Sequence, residues 1–90
     1  MIKHSQGILV RSQESRATAL AGRLAAATGC DPRTDETSEL IRLEVDLPTE
    51  LTASARDGIL AALVLADRYG HIRTDEGAIA WMELDLRKPS

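Results

Sequence analysis

Few side chains in this sequence have the types and spacing that metal or nucleophilic chemistry requires. The candidate metal ligands are the two histidines, the single cysteine and two nearby acids: His4, His71, Cys30, Asp31 and Asp35. No two of them follow the Cys-x-x-Cys or His-x-x-x-His spacing that brings zinc ligands together. Surface histidines are the simpler interpretation. We therefore expect no metal and no cofactor.

Nucleophilic or acid–base catalysis has equally little support. A nucleophile of this kind would pair Cys30 with His71 as its base. Cys30 follows a predicted helix C-terminus, however, where the negative end of the helix dipole disfavours the thiolate form. The Gly-x-Ser-x-Gly pattern of a nucleophile elbow is absent, and so is a glycine-rich phosphate loop. Asp75 and Glu76 fall in a predicted turn, where carboxylates are solvated. The sequence predicts a protein that is not an enzyme.

A local excess of positive charge is the basis for an alternative function. Arg11, Arg16 and Arg23 could contact phosphates, and the last two share one side of a predicted helix. The net charge, however, is −3, and the chain has no phenylalanine on which bases could stack. A strand is predicted between the two helices, unlike in a helix-turn-helix. A nucleic-acid-associated regulator is thus the alternative to a protein-binding module.

Trp81 is the most informative single residue. In a strand over 78–86, alternation places Trp81 beside Ile79 and Glu83, on the face opposite Met82 and Leu84. Two interpretations stay open. Trp81 is either core of a central strand, or part of an exposed patch that a partner protein or a second subunit covers.

The predicted partner-binding residues are Ile79, Trp81, Glu83 and Tyr69. Tyr69 is predicted at the end of the second helix, where its side chain either borders the patch or has its hydroxyl in water. The acidic loop over 31–39 is the second candidate surface.

Hydrophobic periodicity predicts the first half of the chain. Ile8-Leu9-Val10 indicates a strand over 6–11, and Ser12 or Ser15 then caps a helix that runs to Thr28. The polar segment 30–38 is a predicted loop. Strict alternation of apolar and polar residues over 40–47 indicates a strand with one buried face.

The second half begins with the most apolar segment of the chain. Residues 48–70 form a predicted helix with Thr49 or Thr52 as N-cap and Gly70 at its end. Its apolar centre, Ile59 to Ala66, predicts cover on more than one side and burial of Leu60, Leu63 and Leu65. A tight turn over 74–77 then joins a short extended piece to the strand over 78–86.

Together these elements predict one α+β domain over residues 1–90. The order is β-α-β-α-β-β, with two helices packed on one face of a small mixed or antiparallel sheet as a two-layer sandwich. Hydrophobic residues make up 43% of the sequence but aromatic ones only 2%, so the core must be aliphatic and thin. The tail over 87–90 is expected to fray.

The remaining features favour a small cytoplasmic binding protein. A lone cysteine cannot form an internal disulfide, and no segment is long or apolar enough for a membrane span or a signal peptide. We expect a homodimer or another homo-oligomer that binds protein, of the inhibitor, immunity, antitoxin or assembly-factor type. The partner is another protein or a second copy.

Salt dependence separates the two candidate functions. Binding through arginine–phosphate contacts should weaken steeply between 50 and 200 mM salt, as counterions are released on binding. Binding through an apolar patch at Trp81 should be nearly insensitive over the same range. Affinity measured across that titration decides between them, and a steep slope would contradict an interface centred on Trp81.

Overall fold

The computed structural model describes the backbone of residues 2–86 and the side chains of residues 12–86. Two helices and four strands make a small α+β fold, which confirms the predicted class, although the order is α-β-β-α-β-β. The elements are α1 (Ile2–Thr28), β1 (Arg33–Glu36), β2 (Leu40–Leu47), α2 (Ala53–Leu63), β3 (Arg68–Thr74) and β4 (Gly77–Asp85).

The sheet consists of two hairpins joined through α2. Its strand order is β1-β2-β4-β3, and every neighbouring pair is antiparallel. β2 and β4 form the centre, with Leu43 opposite Met82, while β1 and β3 are the edges. The sheet is therefore antiparallel rather than mixed.

Both helices pack on one face of the sheet, as the sequence predicts. The buried sheet side chains come from alternate positions of β2 and β4, and they meet one stripe of α1 and one of α2. These core residues are Ala17, Leu20, Leu24, Ile41, Leu43, Val45, Ile59, Ala62, Leu63, Ala80, Met82, Leu84 and Leu86. No aromatic side chain is among them, in agreement with the expected aliphatic core.

The predicted first strand is wrong, because residues 6–11 belong to α1. A run of three apolar residues is too short to distinguish a buried strand from a helix turn, and β-branching favoured the wrong alternative. The end of this helix is as predicted. Gly29 takes a positive φ of 74° and donates its N–H to the Ala25 carbonyl at 2.8 Å.

One strand was missed because it lacks an apolar face. β1 lies inside the segment predicted as a loop, and all four of its residues are exposed. It pairs with β2 from Arg33 opposite Glu44 to Glu36 opposite Ile41. The backbone hydrogen bonds of an edge strand need no hydrophobic alternation, so the sequence pattern gave no sign of it.

The second helix is shorter than predicted. Its N-cap is Thr52, one of the two candidates, whose hydroxyl accepts the Ala55 N–H at 3.0 Å. The helix ends at Leu63, and Gly70 lies in β3.

Leu63 is buried, but Leu60 and Leu65 are 53% and 46% exposed, so the prediction of cover on more than one side is wrong. α2 has the sheet and α1 on one side only.

The predicted fraying at 87–90 lies outside the residues that the structure describes. Within the described residues, neither helix combines the length and the apolar character that crossing a bilayer would need.

Core truncation tests this assignment of burial. Leu43→Ala removes a side chain with no exposed surface and should cost about 2–5 kcal/mol of unfolding free energy. Leu60→Ala makes the same chemical change on the exposed side of α2 and should cost less than about 1 kcal/mol, mostly through lost partial burial. Urea denaturation of both variants gives the comparison, and equal losses would contradict the one-sided packing of α2.

Candidate functional site: the helix-free face of the sheet

The face of the sheet opposite the helices carries the residues that alternate with the core. Residues paired across an antiparallel ladder point to the same side, so the strand register defines this surface. We call it the helix-free face; it consists of Arg33, Asp35, Leu40, Arg42, Glu44, Asp46, Arg68, Gly70, Ile72, Thr74, Gly77, Ile79, Trp81, Glu83 and Asp85. Trp81 lies there beside Ile79 and Glu83, as strand alternation predicts.

Trp81 is half-buried on a central strand, and neighbouring strands rather than a helix cover it. Gly70 lies directly opposite on β3, and a Cβ at that glycine would be 2.9 Å from Cζ2 of the indole. The ring therefore rests against the β3 backbone. On its other side, the guanidinium carbon of Arg42 lies 4.7 Å from the ring centroid, a cation–π contact.

Two isoleucines extend the apolar surface beside the indole. Ile72 of β3 lies opposite Ile79 of β4, one register step along this face from the Gly70–Trp81 pair. Ile79 is half-buried and Ile72 is 47% exposed. We call Gly70, Ile72, Ile79 and Trp81 the Trp81 patch.

A continuous series of ion pairs crosses this face beside the patch. Arg42 contacts Glu44 and Glu83, both at 2.8 Å, and Arg68 contacts Glu83 at 2.9 Å. Further pairs continue the series at both ends, so that it reaches all four strands. This ion-pair chain runs Asp46–Arg33–Glu44–Arg42–Glu83–Arg68–Asp85.

Glu83 is the carboxylate at the centre of this ion-pair chain. Its hydrogen bond from Arg68, together with a second from Arg42, lowers its pKa below the ordinary value against the opposing effect of desolvation. The arginines shift in the complementary direction. The pKa of Arg68 is raised by its hydrogen bonds to Asp85 and Glu83, and that of Arg42 by its hydrogen bonds to Glu44 and Glu83.

Tyr69 lies apart from the other predicted partner-binding residues. It belongs to β3 rather than to the end of the second helix, and it pairs with Met82. This register puts Tyr69 on the helix side of the sheet, where it is 47% exposed. The acidic segment over 31–39, by contrast, contributes Arg33 and Asp35 of β1 to the helix-free face.

The structure describes the side chains of two of the three arginines of the alternative function, Arg16 and Arg23, both on α1. Arg16 donates to the Gln13 amide oxygen at 3.0 Å and also to the Leu65 carbonyl, which ties α1 to the segment after α2. Arg23 is exposed, and the side chain of Arg11 lies outside the described residues. Gln13, which sequence reasoning missed, is buried and donates to the Asp85 carbonyl at 2.8 Å.

The candidates for metal and nucleophilic chemistry remain scattered. His71 is exposed on β3, and Cys30 is half-buried just after α1. Among the residues with described positions, no three histidine, cysteine, aspartate or glutamate side chains come together as metal ligands. The helix-free face is the arrangement that remains to be explained.

Comparison with known proteins gives no family for this chain. No family model matches it, and neither a curated protein nor a solved structure matches. Function must therefore be argued from the helix-free face itself. Sequence reasoning missed Gly70 and Ile72 of that face, since Gly70 resembled a helix C-cap and Ile72 was assigned to no face in the short extended piece before the turn over 74–77.

Substitution at Gly70 tests the packing of the indole. Gly70→Ala places a methyl group 2.9 Å from the Trp81 ring and should cost about 1–3 kcal/mol of unfolding free energy. Gly22→Ala lies within α1, where the added Cβ would meet no atom outside the adjacent helix backbone within 4 Å, and should instead stabilise by about 0.5–1 kcal/mol. In the Gly70→Ala/Trp81→Ala double variant the steric cost should disappear. Strict additivity in denaturant unfolding would contradict the contact.

Glu83 should contribute a pH-dependent part of the stability. Because folding lowers its pKa, its ion pairs stabilise the fold above the ordinary value of 4.5, and this contribution is lost as pH falls through the folded-state pKa. Glu83→Gln should cost about 1 kcal/mol at pH 7 and flatten the decline of stability below pH about 4.5. Glu76→Gln, in the exposed β3–β4 turn, is the control. Identical pH profiles for all three proteins would exclude the ion-pair role.

Proposed function

We propose that this protein is a non-catalytic protein-binding module that works in the cytoplasm and pairs with a second copy through its helix-free face. The observation that carries the proposal is the Trp81 patch. It places a half-buried tryptophan beside an isoleucine that is 47% exposed, on a sheet face that neither described helix covers. Tryptophan is enriched at the energetic centres of protein interfaces, and exposed apolar patches mark such sites.

The charges around the patch support a protein partner rather than a polyanion. Each arginine of the helix-free face already has carboxylate partners within the chain, as in the contacts of Arg42 with Glu44 and Glu83. A partner that covers this face therefore needs no counter-charges of its own. A phosphate backbone would have to compete with the carboxylates that hold these arginines.

The size of the face supports a second copy that binds weakly. Four strands of four to nine residues, with about 3.4 Å per residue and about 4.8 Å between strands, present roughly 450 Å² per chain. Two such faces would bury about 900 Å² in total, in the range of weak, transient interfaces. The aliphatic core and the paired charges leave each protomer folded on its own. We therefore expect a dimer whose population depends on protein concentration.

The nucleic-acid alternative has no specific observation in its favour. Arg16, one of the three arginines proposed to contact phosphates, instead donates hydrogen bonds to Gln13 and to the Leu65 carbonyl. The chain also carries a net charge of −3. The protein-binding hypothesis is the one we retain.

Mass measurement as a function of concentration tests the proposal. The wild-type protein should shift from monomer towards dimer between about 1 and 500 µM. Ile72→Arg should raise the concentration at which the dimer forms at least tenfold, because it places a charge in the apolar patch. Trp81→Ala should weaken the dimer similarly, provided that circular dichroism shows it to be folded.

Leu60→Arg, on the exposed side of α2, is the matched control and should leave the mass unchanged. A wild-type monomer at every concentration would overturn the proposal. A dimer lost through Leu60→Arg but retained in Ile72→Arg would place the interface on α2 instead.

A further inference from the structure

The outer edge of β3 is the longest strand edge that the described structure leaves unpaired. β3 is the last strand of the sheet and has seven residues, RYGHIRT, in continuous register with β4 from Arg68 to Thr74. In an antiparallel edge strand, every second residue directs its N–H and C=O away from the sheet. The edge therefore presents a row of backbone donors and acceptors.

The usual protections of an exposed edge are largely missing from β3. Proteins block such edges with proline, a bulge or a very short strand. β1, at the opposite edge, has only four residues, whereas β3 has no proline and no break in its register with β4. Only charge remains as protection, and charge discriminates between partners rather than excluding all of them.

The charged side chains of β3 have one sign. β3 contains two arginines, Arg68 and Arg73, and no acid. Arg68 is held by Glu83 and Asp85, whereas Arg73 and His71 are exposed and lie on the helix side of the sheet, opposite Ala78 and Ala80. An added strand would lie next to these two side chains.

We propose that the free edge of β3 binds an extended acidic segment of another protein by strand addition. Backbone hydrogen bonds to β3 would supply affinity, as in other strand-addition complexes, and the side chains on the two faces would supply selectivity. Carboxylates of the added strand would face Arg73 and His71. Apolar side chains on the other face would extend the Trp81 patch beyond Ile72.

Charge complementarity distinguishes this occupant from a second copy of β3. Two β3 edges side by side would bring together positive charges of the same kind, and like charges on adjacent strands are destabilising. An acidic strand meets the opposite sign. The edge is also distinct from the helix-free face, so a dimer formed through that face leaves it accessible.

A pair of model peptides tests the proposal on the full chain. The probe is an eight-residue capped peptide of alternating valine and glutamate, and its counterpart replaces each glutamate by lysine. Titration calorimetry should show binding of the valine–glutamate peptide at least tenfold tighter than that of the valine–lysine peptide. Trp81 emission should shift on binding, since the indole rests against the β3 backbone at Gly70.

Charge reversal on β3 supplies the matched variant. The double variant His71→Glu/Arg73→Glu should bind the valine–glutamate peptide at least tenfold more weakly than the wild-type protein does, and the valine–lysine peptide more tightly. Arg56→Glu, at an exposed position of α2, should change neither affinity. N-methylation of alternate amides in the valine–glutamate peptide should abolish binding if backbone hydrogen bonds form the complex.

Several results would overturn this proposal. They are absence of binding to the valine–glutamate peptide, equal binding of both peptides, an unaffected N-methylated peptide, and equal binding of an eight-nucleotide oligothymidine. Growth of the wild-type protein into polymers that His71→Glu/Arg73→Glu dissolves would assign the edge to a second copy. A protein that stays monomeric but binds the peptide would contradict only the helix-free-face dimer.

Discussion

Cover on only one face of the sheet is the constraint on which the rest of this structure depends. The chain supplies two helices, and both lie against the same side of four strands, where Leu43, Met82 and Leu84 are fully buried. Hydrophobic burial on that side provides the main driving force for folding. The opposite side of the sheet must then be stabilised by contacts among its own side chains, because no described helix lies over it.

The helix-free face meets this requirement in two ways. The ion-pair chain links all four strands, so its charges satisfy one another instead of depending on solvent alone. Trp81 covers the backbone at Gly70, where the strand has no side chain, and Arg42 lies over its ring. Such packing of an aromatic residue over an edge glycine also pins strand register. The same contacts leave Ile72 and the indole partly exposed, so one arrangement serves stability and offers a binding surface.

Particular residues show where sequence reasoning succeeded. Ile41, Leu43 and Val45 alternate strictly with charged residues, and β2 is found at the predicted residues, 40–47. The stripe of α1 that contains Leu20 and Leu24 is buried as expected. The face of Trp81 also followed from alternation. In each case the apolar residues recur along the sequence with the period of the helix or strand that they form. Where the period was absent, as in β1, or too short, as at residues 8–10, the predictions were wrong.

By itself, the sequence determined the fold class, the aliphatic core and the side of β4 on which Trp81 lies, because local periodicity decides which residues share a face. Only the tertiary structure decided how far β3 extends along β4 and that β2 lies on the other side of β4. Because of this pairing, Gly70 lies against the indole of Trp81 instead of capping a helix, and Tyr69 lies on the opposite face of the sheet. The same pairing brings Arg42, Glu83 and Arg68 together in one network of ion pairs. Strand pairing joins residues distant in the chain through backbone hydrogen bonds, which all residues except proline can make. Side-chain patterns along the chain therefore carry little record of it.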